Sequence, residues 1–333
     1  MGRLAVIAMT AYMAVVMYLM IVAGVWPTLD LVAIAVALVA ILLGRARLFF
    51  RDWLPFVLIF LGWEAMRGLA DNLGAPVASD SVIALERAMF GGIVPTVELQ
   101  RLLYRPEAVG WLDVLTSLVY SAHFMFPLGI AFIFWTRDRS LYYRFAATLL
   151  VMALAAFIVY VFVPVAPPRF AHRHGEALPV TDIIGATILK LDLPISADWV
   201  YQNLSPNDNA AFPSLHAAFP LLAFLFVRRQ HPRGAWIIAA WTALVWFAIT
   251  YTGHHYVVDI VGGAAFAVAA YLGVDRTGLL NRALAWLMVA GLPPRLGRAA
   301  EAHAAAAPRS GQGRTGGTTP RDSATEAADR RPT

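Results

Sequence analysis

Residues 252–259 read Thr-Gly-His-His-Tyr-Val-Val-Asp and stand between two strongly apolar stretches. His255 precedes Asp259 by four positions, so a helix opening near His255 would carry both side chains on one face. A carboxylate against one imidazole nitrogen fixes the tautomer and strengthens the other nitrogen as base and nucleophile. Histidine forms covalent intermediates, and phosphorus is an electrophile suited to it. A second group, Pro213-Ser214-Leu215-His216, opens another helix. Proline suits the first turn, whose free amides attract an anion. Ser214 would add a hydrogen bond to that anion, and His216 would protonate a leaving oxygen. Third, Pro167-Pro168-Arg169 places a guanidinium after a stiff double proline, where it would grip a phosphate through two oxygens. Together these groups have the parts of phosphoryl transfer.

Plainer readings compete with each. His255 and Asp259 would also cap a helix, and a lone His216 at a helix start is commonly a cap. Arg169 would equally meet lipid headgroups at the interface. Ionisable residues within a membrane are expensive and mark function by default, which favours the chemical reading of the His255–Asp259 pair. His216, His254, His255 and Asp259 are all acceptable zinc ligands. Adjacent histidines rarely face one metal, however, and no His-Glu-x-x-His motif occurs, so a metal site is the minor alternative and no cofactor is expected. Glu64 and Arg67, three apart, would form a structural pair or line a headgroup pocket. His123 has the same two readings, while His172, Arg173 and His174 read as loop residues.

The chain that must position these groups has 333 residues, 59% of them hydrophobic and 14% charged, with 26 basic against 21 acidic side chains. Soluble domains are typically about 45–50% apolar and about 25% charged, so this is a membrane protein. The net charge of +5 sits in arginines of short loops, which sets orientation and does not build a nucleic-acid groove. Cysteine is absent, which excludes disulfides and thiolate metal sites. Apolar runs of spanning length fall near residues 4–25, 28–44, 53–70, 111–135, 142–163, 212–228, 234–252 and 256–274. The fold class is therefore all-α, a polytopic transmembrane helical bundle of about eight spanning helices. The first run lacks a cleavage site and reads as a span, not a signal peptide. Residues 1–50 form an N-terminal transmembrane hairpin and 51–278 the catalytic membrane domain. Within the latter, 71–110 reads as loops with a surface-lying helix near 80–103. Residues 279–292 suit an interfacial helix, and 293–333 lack the apolar content for a core and read as a disordered tail. Arginines at 45, 47 and 51, at 137, 139 and 144, and at 228, 229 and 233 put three loops and both termini in the cytoplasm. The histidines then lie on the extracytoplasmic face. The arginine- and alanine-rich composition suggests a bacterial plasma membrane.

These residues resemble the type 2 phosphatidic acid phosphatase (PAP2) superfamily over roughly residues 50–275. Its Pro-Ser-Gly-His motif is similar to Pro213-Ser214-Leu215-His216, and its Gly-x-His-x-x-x-Asp motif to Gly253 through Asp259. The resemblance implies a six-helix core and assigns His255 as nucleophile, Asp259 as its orienting group and His216 as general acid and base. Arg169, Ser214 and His254 would bind the substrate phosphate. Two departures stand out. Phe162 occupies the place of the family's first-motif lysine, with Phe170 and Ala171 where proline should follow, and Ala248-Ile249 replace its Ser-Arg pair. A protonated His254 would substitute for a missing cation. His-His-Tyr-x-x-Asp-x-x-Gly-Gly (254–263), Trp63-Glu64-x-x-Arg67-Gly68 and the Phe90–Gln100 stretch resemble the inositol phosphorylceramide synthase branch. That branch implies transfer of a phospho-alcohol headgroup from a phospholipid to a lipid or sugar hydroxyl. A lipid phosphate phosphohydrolase is the alternative enzyme, and a lipid transporter or scramblase the alternative without catalysis.

Overall fold

Backbone polar groups in hydrocarbon must be satisfied within their own segment, which favours helix over every open arrangement. The computed structural model describes residue 18 and residues 29–70, 75–122, 125–174, 178–193 and 208–276, without the side chains of 29–32, 67–70, 172–174 and 276. The chain divides into two units at residue 280, and every described residue belongs to the first. In chain order the helices are α1 (Leu29–Leu42), α2 (Ala46–Ala70), α3 (Ser79–Met89), α4 (Pro95–Leu103), α5 (Trp111–Ser121) and α6 (Met125–Arg137). There follow α7 (Arg139–Phe162), α8 (Ile183–Lys190), α9 (Leu215–Gln230), α10 (Pro232–Tyr251) and α11 (Val257–Ala270). A 3-10 turn covers Pro168–His174, and a π turn, Tyr271–Arg276, extends α11. The all-α expectation holds: among the described residues there is no strand, and one parallel bridge joins Val165 to Ala210.

Among the described residues, three helices are long and apolar enough to cross a membrane: Arg139–Phe162, Pro232–Tyr251 and Val257–Asp275. The α5–α6 pair, whose members lie 52° apart, would add a fourth as one broken span. Eight spans are thus more than the described residues supply by length and composition. The expected helix at 4–25 lies outside them, as do 279–292 and 293–333. The expected 212–228 span shortens to 16 residues because Ser214 caps it from outside. α2 is 25 residues long, but charges from Arg47 to Arg67 punctuate it.

Several expected loops contract to caps. The 136–144 loop reduces to Asp138, whose carboxylate accepts from the amides of Ser140 (2.9 Å) and Leu141 (3.3 Å) and starts α7. The expected surface helix at 80–103 is two helices. Gly91 and Gly92, at φ 64° and 94°, take left-handed turns that end the first, and Pro95 opens the second.

Buried Trp53, Phe60, Trp63, Phe132, Trp135, Tyr142, Phe145 and Phe219 pack α2, α6, α7 and α9 into one core. At one end of it Asp52 accepts from Arg139 Nε (2.6 Å), Tyr143 Oη (2.7 Å) and Trp135 Nε1 (2.9 Å). Asp275 pairs there with Arg144 and Arg229. Each carboxylate is surrounded by several donors, which is how a buried charge is tolerated. With α2, α6, α7 and α11 locked at this end, the opposite end holds the histidines.

Candidate active site

Three chain segments build the site, and each is held by backbone bonds. The bridge between Val165 and Ala210 (Val165 N to Asn209 O 2.7 Å, Ala211 N to Val165 O 2.9 Å) ties the end of α7 to the approach to α9. Tyr160 Oη donates to Pro213 O at 2.8 Å across the same junction. Arg169 N donates to Gly253 O (3.0 Å), and Ser214 N donates to Asp259 O (3.0 Å). All three expected motifs therefore meet.

Gly253 lies at φ +81°, and a Cβ there would stand 2.9 Å from Val180 Cγ1 and 3.1 Å from Thr181 O. No other residue suits that turn. Gln100 braces it from α4, donating to Tyr251 O (2.8 Å) and Thr181 O (2.9 Å) while accepting from Thr181 N (2.8 Å). Thr96 Oγ1 reaches His255 O at 3.5 Å.

The His255–Asp259 contact forms, but not by helical register. α11 begins at Val257, so His255 lies in the turn before it. Asp259 is the third helical residue, and its carboxylate folds back to accept from Tyr256 N at 2.8 Å, as a capping-box acid does. The same Oδ2 lies 3.4 Å from His255 Nδ1. Cap geometry therefore aims the acid, where the sequence reading had used the face of a helix. His255 Nε2 in turn lies 3.3 Å from His216 Nδ1, in the first turn of α9. Asp259, His255 and His216 form one line from a fully buried carboxylate to a half-buried imidazole.

Tyr120 of α5 orders both flanking histidines. Its ring stacks on His216 at 4.5 Å and stands 4.3 Å from that of His254. His254 is buried, and its Nδ1 lies 3.1 Å from Thr252 Oγ1 and 3.2 Å from Thr252 O. Burial first, then the charge of Arg169 and then His255, push it well below the ordinary imidazole range, against a smaller opposing effect of the Thr252 carbonyl. His254 is therefore neutral, which corrects the expectation of a protonated stand-in for the missing cation.

Arg169 is 5% exposed, with NH1 3.6 Å from Asp182 Oδ2 and its guanidinium 3.8 Å above the Phe170 ring. Ser214 is fully buried, and its Oγ accepts from Ala217 N at 3.2 Å as the cap of α9. That capping bond uses the hydroxyl as an acceptor and leaves its proton available to a bound anion. Glu64 is half-buried on α2. The Arg67 side chain and His123 lie outside the described residues. No group of three or more His, Asp or Glu among the described residues is arranged to hold a metal ion.

Beside His216, Val119, Tyr120, Phe126, Pro220, Trp241 and Val245 line a narrow crevice of about 10 Å³, room for little more than a water molecule. Its lining is mostly apolar.

Sequence reasoning missed Thr96, Gln100, Tyr120 and Glu86. Thr96 and Gln100 stand in the Phe90–Gln100 stretch that carried the branch resemblance, so their signal was present without its physical meaning. Tyr120 gives no local sign in an apolar helix. Glu86 is fully buried on α3, in a stretch read as surface-lying.

Residues 80–273 match the family model described as the PAP2 superfamily. The inositol phosphorylceramide synthase of Candida albicans is 28% identical over 190 residues, covering 52% of this chain and 40% of that protein. The phosphoinositol dihydroceramide synthase of Bacteroides thetaiotaomicron is 27% identical over 240 residues, covering 66% of this chain and 74% of the other. The inositol phosphorylceramide synthase catalytic subunit of Schizosaccharomyces pombe is 26% identical over 174 residues, covering 50% and 41%. The chain thus spans less than half the length of the two fungal relatives. No solved structure matches.

Proposed function

We propose that this chain, which belongs to the PAP2 superfamily, is a membrane enzyme that moves a phosphoinositol-type headgroup from a phospholipid to a ceramide-type hydroxyl through a phosphohistidine. The observation that carries the reading is the line Asp259 Oδ2, His255 Nδ1, His255 Nε2, His216 Nδ1, with contacts of 3.4 and 3.3 Å. Asp259 holds the proton on Nδ1 and leaves the Nε2 lone pair directed at the reacting centre. His255 Nε2 bonds to phosphorus as the P–O bond to the donor lipid breaks, and His216 gives its proton to the departing oxygen. In the second half, His216 takes the proton of the acceptor hydroxyl, the new P–O bond forms, and the N–P bond breaks. Arg169 and the first amides of α9, presented by the Ser214 cap, face the phosphate charge. The 3.3 Å between the two imidazoles leaves no room for a phosphorus, so the rings part when substrate binds. The names of the relatives supply the headgroup and acceptor class.

The test is the purified protein in mixed vesicles with a headgroup-labelled inositol phospholipid and ceramide, wild type beside H255A. Label should move to ceramide in the wild type and fall at least about a thousandfold in the variant, the scale of losing a nucleophile. Label released only to water would make the protein a phosphohydrolase. Equal turnover by both proteins would remove His255 from its role, and no transfer at all by the wild type would end the enzymatic reading.

A further inference from the structure

A second carboxylate stands behind the catalytic pair. Glu86 lies on α3, a helix outside the spanning segments, yet it is fully buried. Its Oε2 accepts from Val258 N at 3.4 Å, and the Val257 amide also favours the charged carboxylate. These are the first two amides of α11, which the helix cannot satisfy itself. Asp259 turns its Oδ2 to Tyr256 N and His255 instead. Two acids from different elements thus divide one helix start between them. Each leaves one buried oxygen, Oε1 of Glu86 and Oδ1 of Asp259, without a hydrogen-bond partner among the described residues.

We infer that Glu86 is a positioning residue of the proposed reaction: it fixes the start of α11 and, when ionised, supports through Asp259 the positive charge that His255 acquires as its Nε2 bonds to phosphorus. The inference rests on the phosphohistidine reading. The charge acting on Glu86 is that of Asp259 on α11. Asp80 and Arg87 lie on α3 itself, and the segments packed against it carry His255 in the turn before α11, Arg169 on the 3-10 turn, Asp208 on the approach to α9, and Glu98 and Arg101 on α4. Burial is the main influence on Glu86, pushing it up to about 7, with the Val258 and Val257 amides opposing and Asp259 adding to the rise. Its charge therefore changes where a membrane enzyme works.

Linkage gives the sign of two separate readouts. A carboxyl raised from 4.5 to about 7 on folding stabilises the protein below its unfolded value, and that stability is lost as pH rises towards the folded one. Ionised Glu86 thus weakens the fold while assisting the chemistry. E86Q keeps an acceptor for Val258 N and removes the charge. At pH 8 it should unfold at a higher temperature than the wild type in the same detergent, yet show a kcat lower by about tenfold. Its KM should be unchanged, and at pH 6 its kcat should approach that of the wild type. E86D, which retains the charge, should keep the rise of kcat between pH 6 and 8. A kcat ratio independent of pH, or a simultaneous fall in stability and activity at pH 8, would overturn the inference. If the wild type transfers no phosphorus, the phosphohistidine reading fails first. The unfolding temperatures then still decide whether a buried charge forms at Glu86.

Discussion

His254 and His255 are neighbours in the chain with opposite environments. His255 has a carboxylate at 3.4 Å on one nitrogen and a second imidazole at 3.3 Å on the other. His254 is pressed against Tyr120, buried to 3% exposure, and sits in the field of Arg169. Its folded form is neutral, whereas the unfolded imidazole takes up a proton below 6.5. A lowered histidine contributes stability that is present above the unfolded value and is lost as pH falls below it. Replacing His254 by asparagine removes the titration, so the unfolding temperature of H254N should change less between pH 7.5 and 5.5 than that of the wild type. Parallel curves would mean that His254 is already charged in the folded protein.

The site exists because α9 and α11 approach closely at their N-terminal ends. A Cβ on Gly263 would stand 2.1 Å from Ser214 O, and one on Gly262 would stand 2.4 Å from a ring carbon of Phe212. Small residues that admit a neighbouring backbone are the usual means of close helix contact in membranes. Ser214 O is backbone and cannot swing aside, so G263A must move one helix. The shift breaks the Ser214 N–Asp259 O bond and separates His216 from His255. G263A should therefore lower kcat by at least about a hundredfold, since a displacement near 1 Å has that effect on aligned groups. Restored transfer with a smaller residue at 214 is not expected, because the obstacle is the carbonyl. Wild-type turnover by G263A would show that α9 and α11 can separate without cost to the site. Much of this element pairing is legible in the sequence: the motif His-His-Tyr-x-x-Asp-x-x-Gly-Gly carries both the chemistry and the contact. The route by which Asp259 reaches His255 is not legible. Spacing of four suggests a shared helical face, and the capping fold-back depends on where α11 starts. Glu86 and Gln100 were hidden for a related reason. They act through backbone amides and carbonyls of segments more than 150 residues away, and such partners leave no local pattern.

Across the whole molecule, charge separates the two ends of the bundle. α7 runs from the Asp52–Arg139 cluster to the Val165 bridge, α10 runs from the Arg228–Arg229 end to the histidine turn, and α11 returns to Asp275. Arg137, Arg139, Arg144, Arg228, Arg229 and Arg233 therefore share one end, while His216, His254 and His255 share the other. The positive-inside rule counts short loops near span ends, which is what these arginines occupy. By that rule the arginine end is expected in the cytoplasm and the phosphate site on the extracytoplasmic side. This orientation is independent of how many further spans lie outside the described residues, because α7, α10 and α11 alone relate the two ends. The chain has no cysteine, so single cysteines report on topology without a background. Glu107 and Gln230 are both exposed, the first beside the α4–α5 connection at the histidine end and the second at the end of α9. In intact cells a membrane-impermeant maleimide should label E107C and spare Q230C, which should react only after the membrane is opened. The reverse pattern would put the reaction on the cytoplasmic face, where donor and acceptor lipids would have to be drawn from the inner leaflet.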